Sequence, residues 1–198
     1  MREEYYKLYQ HKSQRHYFLK LCYDQSPESP RTWDNLGHCE FFHRNYNYGD
    51  ENKFLLPSDA KEYALSKKVI SLPVYLYDHS GCTINTTGFT CRWDSGQLGY
   101  IWVTVEDALK AFEWKKLTGR RREQVQASLK AEIEVLDQYI TGDVFGFELV
   151  NTETGEEDSC WDFFGSKLKD NGIMEHIPEG LDSVEDWVEV EEMPEPVH

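Results

Sequence analysis

The chain has 198 residues, 39% of them hydrophobic and 14% aromatic, enough to build a domain with a real core. Its formal charge is −15, and residues 175–198 hold nine Asp or Glu and no Lys or Arg, which leaves −6 for the 174 residues before them. Such a surface argues against direct binding to nucleic acid or to an anionic membrane, since both require cations, and it favours a partner with a basic surface.

The five cysteines, Cys22, Cys39, Cys82, Cys91 and Cys160, include no CxxC pair. The opening residues MREEYYKLYQHKSQ lack the apolar stretch of a signal peptide. No run of about 18 apolar residues is present to span a membrane. A cytoplasmic protein with reduced thiols is the expectation.

In chain order, residues 1–14 read as a charged, tyrosine-rich arm or short helix, and 15–24 as a first strand. A loop with two prolines, SPESP, leads into RTWDNLG. Residues 39–46 read as a strand stopped by the turn signal NYGD. Residues 57–68 suit a helix, with Ser58 as N-cap and Lys67 and Lys68 at its C-terminal end. The central stretch 69–104 has apolar, β-branched runs at 69–77 and 98–103, separated by the turn signals DHSG and DSG. It reads as strands folding back on one another.

Then the period becomes helical. Thr104 to Asp107 resembles a capping box, followed by a helix over 105–116 that Gly119 breaks. A second helix over 121–139 carries the stripe Val125, Leu129, Ile133, Leu136 and Ile140. Gly142 is placed to stop it. Residues 144–150 and 158–164 form a hairpin around Thr154-Gly155. The expected class is α+β, a mostly antiparallel sheet with about three helices and an acidic C-terminal tail. The expected divisions are an arm and first strand at 1–28, a core domain at 29–178 and a tail at 179–198. In that tail Leu181, Val184, Trp187 and Val188 would share one face of a short acidic helix.

The ordered set SPRTWDNLG, LPVYLYDHSG, CRWDSGQLGYIWVT, LDQYITGDVFGFEL and DSCWDFFG resembles a family of largely uncharacterised bacteriophage-encoded proteins. The resemblance spans roughly residues 29–165. It implies a phage or mobile-element protein acting in a bacterial cytoplasm, and it carries over no catalytic residues.

The turns of the central stretch hold the densest set of chemical side chains. His79 could act as a general base or metal ligand with Asp78 orienting it, and Asp94 nearby. The competing reading is structural, with Asp78 capping a turn whose positive φ falls to Gly81. Ser80 beside His79 does not make a triad, because neighbours on a tight turn point apart and no GxSxG is present. A zinc site would use His79, Cys82 and Cys91, with Cys39 or Cys160 as the fourth ligand; strand cysteines otherwise serve as small buried hydrophobes. Asp34, Asp78, Asp94 and Asp143 sit in glycine-containing turns and could gather a hard cation, or could simply cap those turns. Arg120, Arg121 and Arg122 form the single basic triplet, near a helix N-terminus where cations are disfavoured.

Trp33, Trp93 and Trp161 lie in turns and become interface anchors where exposed. Two functions follow. The preferred one is a non-enzymatic binder with no cofactor and no metal, engaging a basic bacterial protein through Trp33, Asp34, Trp93 and Trp187. The alternative is a small metal-dependent or acid–base enzyme acting on nucleotides or nucleic acid through Asp78, His79 and Asp94.

Overall fold

The structure is a computed structural model and describes residues 5–193. In chain order its elements are β1 (Lys7–His11), β2 (Tyr17–Tyr23), β3 (His38–Phe41), α1 (Pro57–Ala64), β4 (Val69–Asp78), β5 (Cys82–Asn85) and β6 (Ser95–Thr104). Then come α2 (Val105–Ala111), α3 (Gly119–Thr141), β7 (Val144–Asn151), β8 (Glu157–Phe164) and β9 (Trp187–Val190). Every strand pairing among the described residues is antiparallel, so the α+β class holds.

The chain divides into two compact units, one made of residues up to Glu28 together with those from Gly142 onward, the other of Ser29–Thr141. This corrects the expected core domain at 29–178. Residues 142–178 belong with the N-terminal strands, because β7 pairs with β2 along its length, from Tyr17 against Asn151 to Tyr23 against Phe145.

The first unit is a five-stranded sheet in the order β8-β7-β2-β1-β9. The expected arm at 1–14 is instead strand β1 from Lys7 onward; residues 1–4 lie outside the described range. The expected tail helix is also corrected. Residues 187–190 form β9, paired with β1 so that His11 faces Trp187 and Leu8 faces Val190. Leu181 and Trp187 are buried, and the Trp187 indole N–H donates to the Leu181 carbonyl at 2.8 Å. Pairing with β1 satisfies the backbone, which a short, self-repelling acidic helix would do only marginally. Residues 194–198 of the expected tail are outside the described range. In β7, a Cβ on Gly146 would fall 2.1 Å from the Trp161 ring, so only glycine lets that indole lie across the strand.

The second unit is a four-stranded sheet in the order β3-β6-β4-β5, with α3 packed on it. Val125, Leu129, Ile133 and Leu136 of α3 are buried in one cluster with Ile70, Ile84 and Ile101 of the sheet, the face that their spacing predicts. Gly37 meets this cluster closely; a Cβ there would lie 2.6 Å from both Ile101 and Leu129.

The helix ends differ from those expected. Pro57 takes the first position of α1 behind Leu56, and Ser58 bonds Asp59 rather than capping. Proline suits that position because its missing N–H has no partner there anyway. Lys67 and Lys68 lie beyond the helix. Thr104 does cap α2, its hydroxyl accepting from the Asp107 N–H at 3.0 Å. That helix stops at Ala111, and Gly119 begins α3 rather than breaking a helix.

Candidate functional site

The set of chemical side chains in the central turns is partly gathered by the β4–β5 turn and the approach to β6. The Asp78 N–H donates to the Asp94 carbonyl at 2.8 Å, which draws the two turns together. His79 Nδ1 then sits 3.3 Å from Asp94 Oδ2, with side-chain exposures of 64% and 36%. Asp78 does not orient His79 as expected; its Oδ2 accepts from the Tyr46 hydroxyl at 3.0 Å. Gly81 has a positive φ, +159°, as expected, and Ser80 has one too, +59°. The tip therefore holds a solvent-exposed His–Asp pair.

His79 and Cys91 both approach Asp94, but the expected zinc donors are not gathered into one set. Among the described residues no three His, Cys, Asp or Glu side chains are grouped to hold a metal ion. Cys91 lies with its thiol 3.5 Å from Asp94 Oδ2. Cys82 bonds the tyrosines instead. Hydrogen bonding to Cys82 and then to Asp78 holds the Tyr46 hydroxyl protonated well above its usual range. Burial, followed by a hydrogen bond to Cys82, pushes Tyr48 up to about 12. Cys39 is buried in β3, where desolvation drives its thiol upward, so it stays protonated. Cys160 and Asp143 belong to the other compact unit.

Asp34 is not part of the tip. With Trp33 it borders a cavity of about 310 Å³ shared with Trp102 and Thr104. Thr104 is the register partner of Val69 at the opposite end of the ten-residue β4 from Asp78, roughly 30 Å away along the strand. Asp34 is thus apart from Asp78 and Asp94, and Asp143 is in the other unit, so the four aspartates are not gathered at one place.

Beside that cavity lies a polar network that the sequence did not announce. Arg31 forks onto Asp50, with Nε 3.0 Å from Oδ1 and Nη2 2.6 Å from Oδ2. It also donates to the Gly37 carbonyl at 2.7 Å and to Glu132 Oε2 of α3 at 3.3 Å. Glu132 in turn accepts from the N–H groups of Leu36 and Gly37 at 2.9 and 3.1 Å. The WDNLG segment is therefore a scaffold: its backbone donors are held by α3, and Asn35 donates back to the carbonyls of Pro30 and Trp33.

Burial alone would lower the Arg31 pKa, but hydrogen bonds to Asp50 outweigh it and raise it. Burial pulls Asp50 upward, yet bonds from Arg31 and the Cys39 N–H hold it below the usual carboxylate range. Burial wins at Glu132, whose carboxyl is raised. Below them Glu40 is fully buried, accepting from the Lys53 and Phe54 N–H groups at 3.1 and 3.0 Å and lying 3.0 Å from His38 Nε2. The sequence signal that could have found the network is Glu132, which abuts the buried stripe between Leu129 and Ile133.

The tryptophans separate clearly. Trp93 is 95% exposed, Trp33 and Trp161 are partly exposed, and Trp187 is only 6% exposed, so Trp187 is removed as an interface anchor. The basic triplet opens α3, where Arg121 donates to the Lys116 carbonyl at 2.8 Å and lies 4.9 Å over the Trp114 ring. Those contacts offset the unfavourable end of the helix dipole.

No protein-family model, no curated protein and no solved structure matches this chain.

Proposed function

We propose that this chain is a bacteriophage-encoded acidic protein that binds a bacterial protein with a basic surface, and inhibits or redirects it. The target class is a nucleic-acid-binding defence or host enzyme, whose cationic groove an acidic surface can occupy. The supporting observation is Trp93, a large aromatic left 95% exposed on a loop next to Asp94. Exposing an indole is unfavourable for the free protein, and tryptophan is the residue most enriched among interface hot spots. The net charge of −15 supplies the steering. The motif resemblance supplies the phage setting and, with it, the bacterial cytoplasm as the site of action.

Affinity capture from bacterial lysate tests the reading, with wild type and Trp93→Ala compared across a salt series. A stoichiometric basic partner is expected, weakening as salt rises and lost with Trp93→Ala. A partner retained at full strength by Trp93→Ala and indifferent to salt would sink the proposal.

A second reading has one observation in its favour, the 3.3 Å approach of His79 to Asp94. In that case the protein is an acid–base enzyme on nucleotides or nucleic acid. Hydrolysis of such substrates by wild type, abolished by His79→Gln, would establish it over the binder.

A further inference from the structure

One face of the second unit is bordered by cations and amides without an acidic side chain. The Phe42 N–H donates to the Leu98 carbonyl at 2.9 Å, so the backbone follows β6 one residue beyond β3 before looping away. In that loop three rings stack in series. His43 lies on Tyr46 at 4.8 Å and 12°, and Tyr46 lies on Tyr48 at 5.2 Å and 10°. Tyr46 and Tyr48 pack against the apolar core, and the Tyr46 hydroxyl is tied to Asp78. His43 is exposed and ends the series. Its Nδ1 accepts from the Asn45 N–H at 3.2 Å, which fixes the ring and places the proton of neutral imidazole on Nε2.

Phe42 borders two cavities. One, of about 700 Å³, is bordered by His43, Arg44 and the amides of Asn45, Asn47 and Asn52. The other, of about 210 Å³, is bordered by Lys61, Gln97 and Tyr100. Neither lining contains a single Asp or Glu, although 36 of the 198 residues are acidic. The face thus offers an anchored aromatic stack, several amides and two cations, with no carboxylate among the residues that border it.

We propose that this face binds a nucleoside monophosphate. The base extends the His43–Tyr46–Tyr48 stack, since every base has a π-face and stacking on a fixed aromatic is favourable. The asparagine side chains carry both donors and acceptors for base edges and ribose hydroxyls. Arg44 and Lys61 supply charge for the phosphate, Arg44 with fork geometry. The cavity of about 700 Å³ beside the stack is by itself large enough for a small ligand. A polynucleotide is disfavoured, because each further phosphate meets the field of a chain carrying −15, whereas one phosphate meets mainly the local cations. This site does not include Trp93, although Tyr46 bonds Asp78 of the neighbouring tip.

The test is an NMR titration of the full chain with AMP, GMP, CMP and UMP, alongside adenosine, inorganic phosphate and a short single-stranded oligonucleotide. At least one monophosphate should shift the His43 ring and the Asn45 and Asn47 amides saturably in the millimolar range or tighter. Adenosine and phosphate alone should each bind about tenfold more weakly or not at all. Arg44→Gln and His43→Ala, both at exposed positions, should each weaken binding by about five- to tenfold and leave the fold intact. No saturable shift with any monophosphate overturns the proposal. So does binding that both variants leave unchanged, and so does an oligonucleotide that binds more tightly per nucleotide than the monophosphate.

Discussion

The two compact units solve the same problem with different materials. The first unit is a five-stranded sheet with an apolar cluster built on Leu19, Leu21, Phe145 and Phe147 and closed by Leu181 and Trp187, and it also buries the polar side chains of His11, Lys20 and Asn151. The second has a comparable apolar cluster under α3, but sets beside it the Arg31–Asp50–Glu132 network and the fully buried Glu40. Apolar packing is non-directional and tolerates modest change in its members. A buried ionic network is costly to form and specific in geometry, because each charge must find its partners. The unit with that network also carries the exposed tip, the aromatic stack and the cavities near them. Polar specificity there holds loops in place that apolar packing alone would leave free to rearrange.

The largest effects should come from the two cores. Phe147→Ala should cost about 3–5 kcal/mol and Leu129→Ala about 2–5 kcal/mol, both at positions with essentially no exposure. Hydrogen exchange then sharpens the comparison. Protection should fall first in the sheet of the unit that was changed. Equal loss across both sheets for either variant would break the idea of two separate cores.

Removing one ion of the network ranks next. Asp50→Asn should cost about 3 kcal/mol, because it leaves the largely buried Arg31 charge without its fork partner. The pH dependence follows from the same contacts. The Asp50 carboxyl is lowered in the folded state, so its stabilisation is present above the ordinary carboxylate range and is lost as pH falls through its folded value. Glu132 is raised, so its contribution runs the other way, present at low pH and lost as pH rises through its folded value. Urea midpoints measured from pH 7 downward should fall more steeply for wild type than for Asp50→Asn. Parallel curves would show that Asp50 does not carry the acid sensitivity.

The smallest effect should be at the tip. Trp93→Ala should change stability by no more than about 0.5 kcal/mol, since its indole is almost fully in water. A larger loss in the urea midpoint would make Trp93 a structural residue and remove the anchor from the binding proposal.

Sequence periodicity alone located the buried face of α3, the β7–β8 hairpin and the central strands. In each case the spacing of apolar residues decides locally which side faces inward. The Thr104 cap and the stop at Gly142, with φ +74°, were readable for the same reason, as a few adjacent residues suffice. The acidic segment misled, because composition reports self-repulsion but not the open edge of β1 that Trp187–Val190 pairs with. Trp187 looked like Trp93 in sequence, and only the fold buried one and exposed the other.

The meeting of His79 with Asp94 needed two turns to be hydrogen-bonded across a gap in sequence. The polar network needed more. Arg31 reaches Asp50 across 19 residues and Glu132 across 101, and a charged residue in a loop reads the same whether solvated or buried. Local patterns record which faces are apolar. Which charges lose their water, and which partners replace it, is fixed only when distant segments pack, because desolvation is a property of the assembled surroundings and not of the residue itself.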